Sequence, residues 1–167
     1  MAKGQWFVVE CAVLEDESSP AWEFLEALRI GMWEPDPDAT SLPSDEQIED
    51  RASFFAMAKR LAQGLPTGGS NGNQTNDLDD GIWEFKVGAK RLSWYDTDGV
   101  GGYRPKLRIR TRAESEYPED DDAWWFPQID EIIRLGYAFP KTDEQAGEFN
   151  IEETKRVRTE DLNHDRE

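Results

Sequence analysis

The sequence predicts an α+β fold built on a mainly antiparallel sheet. Three observations point there: a continuous apolar run near the N-terminus reads as a buried strand, two segments with helical start signals follow it, and short turns separate the later strands. Turns of that length make hairpins and leave no room for helical crossovers. At 167 residues the chain has the length of one domain, taken as residues 1–160, and seven tryptophans argue against global disorder.

The run WFVVECAVL at residues 6–14 is broken only by Glu10 and is the first strand; Cys11 within it reads as packing. Ser18 or Ser19 caps a helix with Pro20 near its first position, and Trp22, Leu25 and Leu28 keep a helical spacing. Residues 31–43 are a proline-rich loop. Ser44 and Gln47 then form an S-x-x-Q capping box. The helix it opens has Ile48, Phe55 and Leu61 near one stripe and stops at Gly64 and Pro66. Residues 66–80 are rich in Gly and Asn and predict a flexible loop. Ile82–Val87 and residues 90–95 are strands joined by a Gly88-Ala89 turn. After the turn at 96–102 comes RPKLRIRTR. Its period of two places Arg104, Lys106, Arg108, Arg110 and Arg112 on one face of a strand. An acidic run at 114–122 follows, then Trp124, Trp125 and Phe126, a short helix at 128–133, and a strand at 134–139 that Pro140 interrupts. Asn150 caps a last helix over 151–162, and 161–167 is a disordered tail holding the only histidine, His164. The order is strand, helix, helix, linker, three or four strands, helix.

Charge is the other clue. The formal net charge is −17, yet residues 86–112 hold eight basic and two acidic residues. The basic stripe reads as charges paired with the chain's own acids, as a phosphate-binding face, or as a site for a peptide or protein. The acidic remainder reads as a solvated surface, or as one that imitates nucleic acid or docks a basic partner. Trp83, Trp94, Trp124 and Trp125 read as core aromatics ahead of base-stacking platforms. A lone cysteine, the lack of an apolar run of about 20 residues and the absence of a secretory apolar core point to a soluble cytoplasmic protein with no membrane partner. One His and one Cys at opposite ends of the chain, no EF-hand spacing and no P-loop lysine lead to the expectation of no metal and no cofactor.

Three segments resemble the RelE/HigB/ParE superfamily of toxin–antitoxin toxins, in its HigB-like, phage-derived branch. They are Gly81-Ile82-Trp83-Glu84-Phe85-Lys86, Arg91-Leu92-Ser93-Trp94-Tyr95 and Phe139-Pro140-Lys141-Thr142, followed by a helix carrying Lys155 and Arg156. The resemblance implies a sheet of about four to five strands with two N-terminal helices packed on it, a short C-terminal helix, and an insertion within 99–132. It also implies an endoribonuclease that cleaves mRNA, often on the ribosome, inhibits translation and is silenced by a cognate antitoxin. Attack of a ribose 2′-hydroxyl on the next phosphate needs a proton acceptor, cations for the developing charge and a donor for the leaving oxygen. By position, Lys86, Arg91, Lys141 and Tyr137 are the implied catalytic residues; Arg104, Lys106, Arg108, Arg110, Lys155 and Arg156 are candidate RNA contacts. The competing reading is a non-catalytic acidic interaction protein on the same fold, binding a basic host protein.

Overall fold

The computed structural model of the chain describes residues 2–3, 7–64, 75–120, 124–141 and 147–167. The fold is α+β. Strands β1 (Ala2–Lys3) and β2 (Val8–Cys11) precede helices α1 (Pro20–Arg29) and α2 (Asp45–Ala62). Strands β3 (Thr75–Asp79), β4 (Ile82–Val87), β5 (Lys90–Thr97) and β6 (Ile132–Pro140) follow, and helix α3 (Glu148–Asp165) closes the chain. The strands form one sheet in the order β1-β2-β6-β5-β4-β3, antiparallel except where β2 runs parallel to β6.

Opposite faces of this sheet are covered differently. Helices α1 and α2 bury Leu25, Leu28, Phe54, Met57 and Leu61 against Val9, Phe85, Leu92, Trp94 and Leu135. Phe24 meets Trp33 and Phe54 edge-on, with ring centroids 4.9 and 5.4 Å away. Across the sheet, α3 packs Val157 near Tyr95, Ala12 and Leu14. Strand β5 is central and covered on both faces, so all eight of its residues are buried.

Local signals account for the hairpins. Asp80 and Gly81 both have positive φ, 52° and 77°, the conformation that joins twisted strands by a two-residue turn. A Cβ on Gly81 would stand 2.6 Å from Pro105 Cα, so the following segment also requires glycine there. Pro20 opens α1, with Ser19 as its N-cap residue but without a side-chain cap bond.

Several elements depart from the sequence reading. The first strand is shorter than 6–14; Trp6 lies outside the described residues. The capping box is half formed. Ser44 Oγ accepts from the Gln47 amide at 3.4 Å, whereas the buried Gln47 side chain turns inward to the Trp33 backbone and to Asp36, all at 2.9 Å. The buried stripe of α2 consequently runs through Gln47, Phe54, Met57, Ala58 and Leu61; Ile48 is exposed and Phe55 half-buried. Within the expected loop at 66–80, Thr75–Asp79 is a strand, its polar sequence held by pairing to β4; residues 66–74 lie outside the described residues. No helix forms over 128–133, because β6 begins at Ile132 and pairs with both β2 and β5. Pro140 ends that strand rather than lying beyond it.

The tail is also not disordered. Helix α3 is 18 residues long, starts with Gly147 rather than Asn150 as its N-cap, and runs through His164. A buried polar network holds it. Arg134 on β6 donates to both oxygens of Asp161 at 2.9 Å and to Asp165 at 3.0 Å; Tyr95 Oη donates to Asp161 at 2.7 Å, and so does the Val13 amide at 2.9 Å. Burial raises the Tyr95 phenol well above its ordinary range and raises the Asp161 carboxyl, with Arg134 acting against the latter. Gly136 lets the helix close in, since a Cβ there would lie 3.2 Å from Ser93 Oγ and 3.5 Å from Thr154.

Residues 103–120 and 124–130 form an irregular excursion that returns over the α1/α2 side of the sheet. Trp125 stacks on Trp83 at 6.1 Å, and Phe126 sits 5.5 Å from Trp83 and 6.1 Å from Trp94. Trp83 and Trp94 stack at 5.6 Å beneath them. The predicted basic strand does not exist: the segment has no ladder partner, and its only regular piece is a 3-10 turn at Arg112–Glu114.

Candidate functional site

Cross-strand register assembles the site. Lys86 stands opposite Arg91, and Glu84 opposite Ser93, in the β4–β5 hairpin. Opposed residues share a face and side chains two apart share a face, so Glu84, Lys86 and Arg91 lie on one side. Beyond the end of β6, the Lys141 amide donates to Ala89 O at 2.7 Å, which brings Lys141 to the β4–β5 turn. Glu84, Lys86, Arg91 and Lys141 thus feel one another's charge.

The four groups are held unequally. Glu84 is 4% exposed, Arg91 9%, and they form an ion pair at 3.9 Å. Arg91 is anchored further by donating to Gly88 O at 2.7 Å and Lys90 O at 3.0 Å. Lys86 is half-buried and Lys141 exposed. Burial raises the Glu84 carboxyl above its ordinary value despite the nearby Arg91 charge. Burial lowers the Lys86 ammonium, and the neighbouring Arg91 and Lys141 charges lower it further. Among the described residues Glu84 Oε2 has no hydrogen-bond partner. One buried carboxylate is therefore paired with Arg91, hydrogen-bonded by the Asn76 side chain and within the field of Lys86 and Lys141.

The reverse side of the hairpin is structural. Lys90 points the other way into the protein, 2.7 Å from Asp50 and 3.1 Å from Asp36. Burial opposes its charge, but the hydrogen bonds it donates to Asp50 and Asp36 win and raise its pKa. Asp38 accepts from the Ala89 amide at 3.2 Å. The turn that presents Arg91 and receives Lys141 is therefore seated on the loop between α1 and α2.

The other expected contacts do not join this cluster. Tyr137 is half-buried, its ring stacked on Phe139 at 6.1 Å; burial and the charge of Glu153 raise its phenol, and α3 rather than the three cations forms its electrostatic surroundings. Lys155 pairs with Asp79 at 2.9 Å, and Arg156 with Glu153 at 3.2 Å and Glu160 at 2.5 Å. Along the excursion, Lys106 lies 3.3 Å from Asp130 and 3.7 Å from Asp96, and Arg108 covers the Trp125 ring at 5.0 Å. Arg112 covers Trp124 at 5.3 Å and donates to Pro118 O. Arg104 and Arg110 are exposed. The alternation seen in sequence is not a stripe, because without a strand the cations turn to separate partners. Asp121, Asp122 and Thr142 lie outside the described residues.

Sequence reasoning overlooked Glu84 as a functional group. The signal was available: Glu84 alternates with Lys86 in a predicted strand, so the pair had to share a face. Among the described residues one trio, Glu17, His164 and Glu167, brings ligand-type atoms within 4.8 Å of one another at the surface. His164 already faces Glu17 at 3.2 Å there. No described helix is long and apolar enough to cross a membrane. Comparison with protein-family models, with curated proteins and with solved structures finds no match in any of the three.

Proposed function

We propose that the Lys86–Arg91–Lys141 cluster binds the phosphodiester backbone of RNA, and that Glu84 makes it a ribonuclease site of the kind the toxin resemblance implies. The supporting observation is the gathering of three cations around one buried carboxylate in a chain of net charge −17. Lys86 and Lys141 are accessible enough to meet phosphate oxygens, and Arg91, fixed by the turn carbonyls, supplies a preorganised positive field. In this reading the Glu84 carboxyl, which burial raises above its ordinary value, takes the proton of a 2′-hydroxyl, the role for which no histidine is at hand.

The test is inducible expression in a bacterial host of the wild type beside a Lys86→Ala/Lys141→Ala variant. These lysines are preferred to Arg91, whose guanidinium also holds the turn. Slowed growth with cut mRNA in the wild type, relieved in the variant, supports the reading. Equal growth with intact mRNA ends the ribonuclease reading. An RNA affinity equal in both proteins ends the phosphate-site reading as well. A second reading, a non-catalytic protein that docks a basic partner, is favoured by Lys106, Arg108 and Arg112 of the excursion being engaged by the chain itself.

A further inference from the structure

The acidic charge is concentrated where the sheet site is not. Residues 15–50 contain twelve acidic residues and one basic residue, Arg29. This stretch includes α1, the following loop and the first turns of α2. It also carries four of the large exposed apolar side chains: Trp22 at 49%, Ile30 at 50%, Met32 at 41% and Ile48 at 45%.

Contacts between the two helices bring these side chains together. The Ser44 amide donates to Gly31 O at 2.9 Å, Arg51 Nε donates to Leu25 O at 3.1 Å, and Phe24 meets Phe54. As α1 is followed backwards α2 advances, so the helices are antiparallel. Trp22, Glu26 and Ile30 lie at i, i+4 and i+8 on α1, and Ile48, Arg51 and Phe55 at i, i+3 and i+7 on α2. The antiparallel register puts Ile30 and Ile48 at the same end of the helix pair, Glu26 against Arg51 at 3.7 Å in the middle, and Trp22 and Phe55 at the other end. Arg51 also covers the Phe55 ring at 4.5 Å. The outer groove of the helical hairpin is thus apolar at both ends and about 12 Å long, eight residues at the helical rise.

Its rim is uncompensated. Glu26 is neutralised by Arg29 and Arg51, but Glu34, Asp45, Glu46 and Glu49 are exposed and have no ion-pair partner among the described residues. Asp45 and Glu49 bracket Ile48 on its own helix. The net charge disfavours a second copy of this chain and disfavours nucleic acid, since both would bring like charge to like.

We propose that the outer groove between α1 and α2 docks a basic amphipathic helix of a partner protein, its apolar face seated on Trp22, Ile30, Met32 and Ile48 and its Lys/Arg flanks on Asp45 and Glu49. This is the helix-in-groove mode of recognition, with charge supplying orientation and speed of encounter. It is independent of the phosphate site on the opposite side of the sheet.

The test titrates the full isotope-labelled chain with a synthetic amphipathic helical peptide carrying Leu at i, i+3, i+4 and i+7 and Lys elsewhere, and with the same peptide carrying Glu for Lys. The Lys peptide should bind and shift the amide signals of 22–32 and 45–55, and the Glu peptide should not. Trp22→Ser/Ile48→Ser and Asp45→Lys/Glu49→Lys should each weaken binding about tenfold, the second with a smaller salt dependence. No binding up to about 1 mM peptide, shifts spread over the acidic surface, or unchanged affinity in the apolar variant would each overturn the proposal. So would light scattering that shows a dimer broken by Trp22→Ser/Ile48→Ser.

Discussion

Two groups of cations lie within one window of sequence and meet different fates. Lys86 and Arg91 sit in paired strands, where the ladder fixes which side chains are neighbours, and like charges are placed together with Lys141 beside them. The cations of 103–112 sit in a segment with no ladder, where each side chain turns to whatever the fold offers: a carboxylate for Lys106, tryptophan faces for Arg108 and Arg112. A run of charge becomes a site only where the backbone denies it other partners. Regular pairing does that here, and an irregular excursion does the reverse.

The sharpest way to break this contrast is to unseat the excursion. Trp125→Ala removes a ring stacked on Trp83 and should cost about 3–5 kcal/mol. Chemical denaturation would measure the loss, and trypsin should then cut at Lys106–Arg112 faster than elsewhere. A smaller effect is expected at the Lys86–Arg91–Lys141 cluster. Lys86→Ala/Lys141→Ala should leave stability within about 1 kcal/mol. It should weaken single-stranded RNA binding at least tenfold and flatten the dependence of log affinity on log salt by about 1.4. Fluorescence anisotropy at several salt concentrations reads both.

The excursion also has a titrating anchor. Burial pushes the Asp96 carboxyl, ordinarily 3.8, up to about 6, although the Asp130 amide and Lys106 act against the rise. The folded state then holds the proton more tightly than the unfolded one, so this group favours folding below about pH 4 and that contribution is lost as pH rises through about 6. Asp96→Asn should be more stable than wild type at pH 7, with the difference shrinking towards pH 4; melting temperatures across that range check it. Least is expected from Arg104→Ala/Arg110→Ala. Both side chains are exposed, and RNA affinity should change less than about twofold, well below the loss at Lys86 and Lys141.

The same contrast shows what was legible. Gly88-Ala89 marked its turn, and the strands read on either side of it made a hairpin whose register sets Lys86 against Arg91. Pro20 and the Ser44–Gln47 pair marked where two helices begin. Thr75–Asp79 could not be recognised, because a polar edge strand owes its conformation to the neighbour it pairs with. Helix α3 was cut short for a related reason: its polar residues suggested fraying, yet Asp161 and Asp165 are the ones Arg134 holds.

By itself, then, the sequence determined the fold class, the β4–β5 hairpin with its cations, the start of each N-terminal helix and the acidic character of 15–50. These follow from contacts between near neighbours, which composition and periodicity record. Tertiary structure alone decided that Glu84 would be buried among three cations, that Arg108 and Arg112 would lie on tryptophans, that Gln47 would turn inward, and that the last seven residues would be tied to the sheet. Each depends on partners distant in sequence, and hydropathy and spacing carry no record of which distant residue arrives.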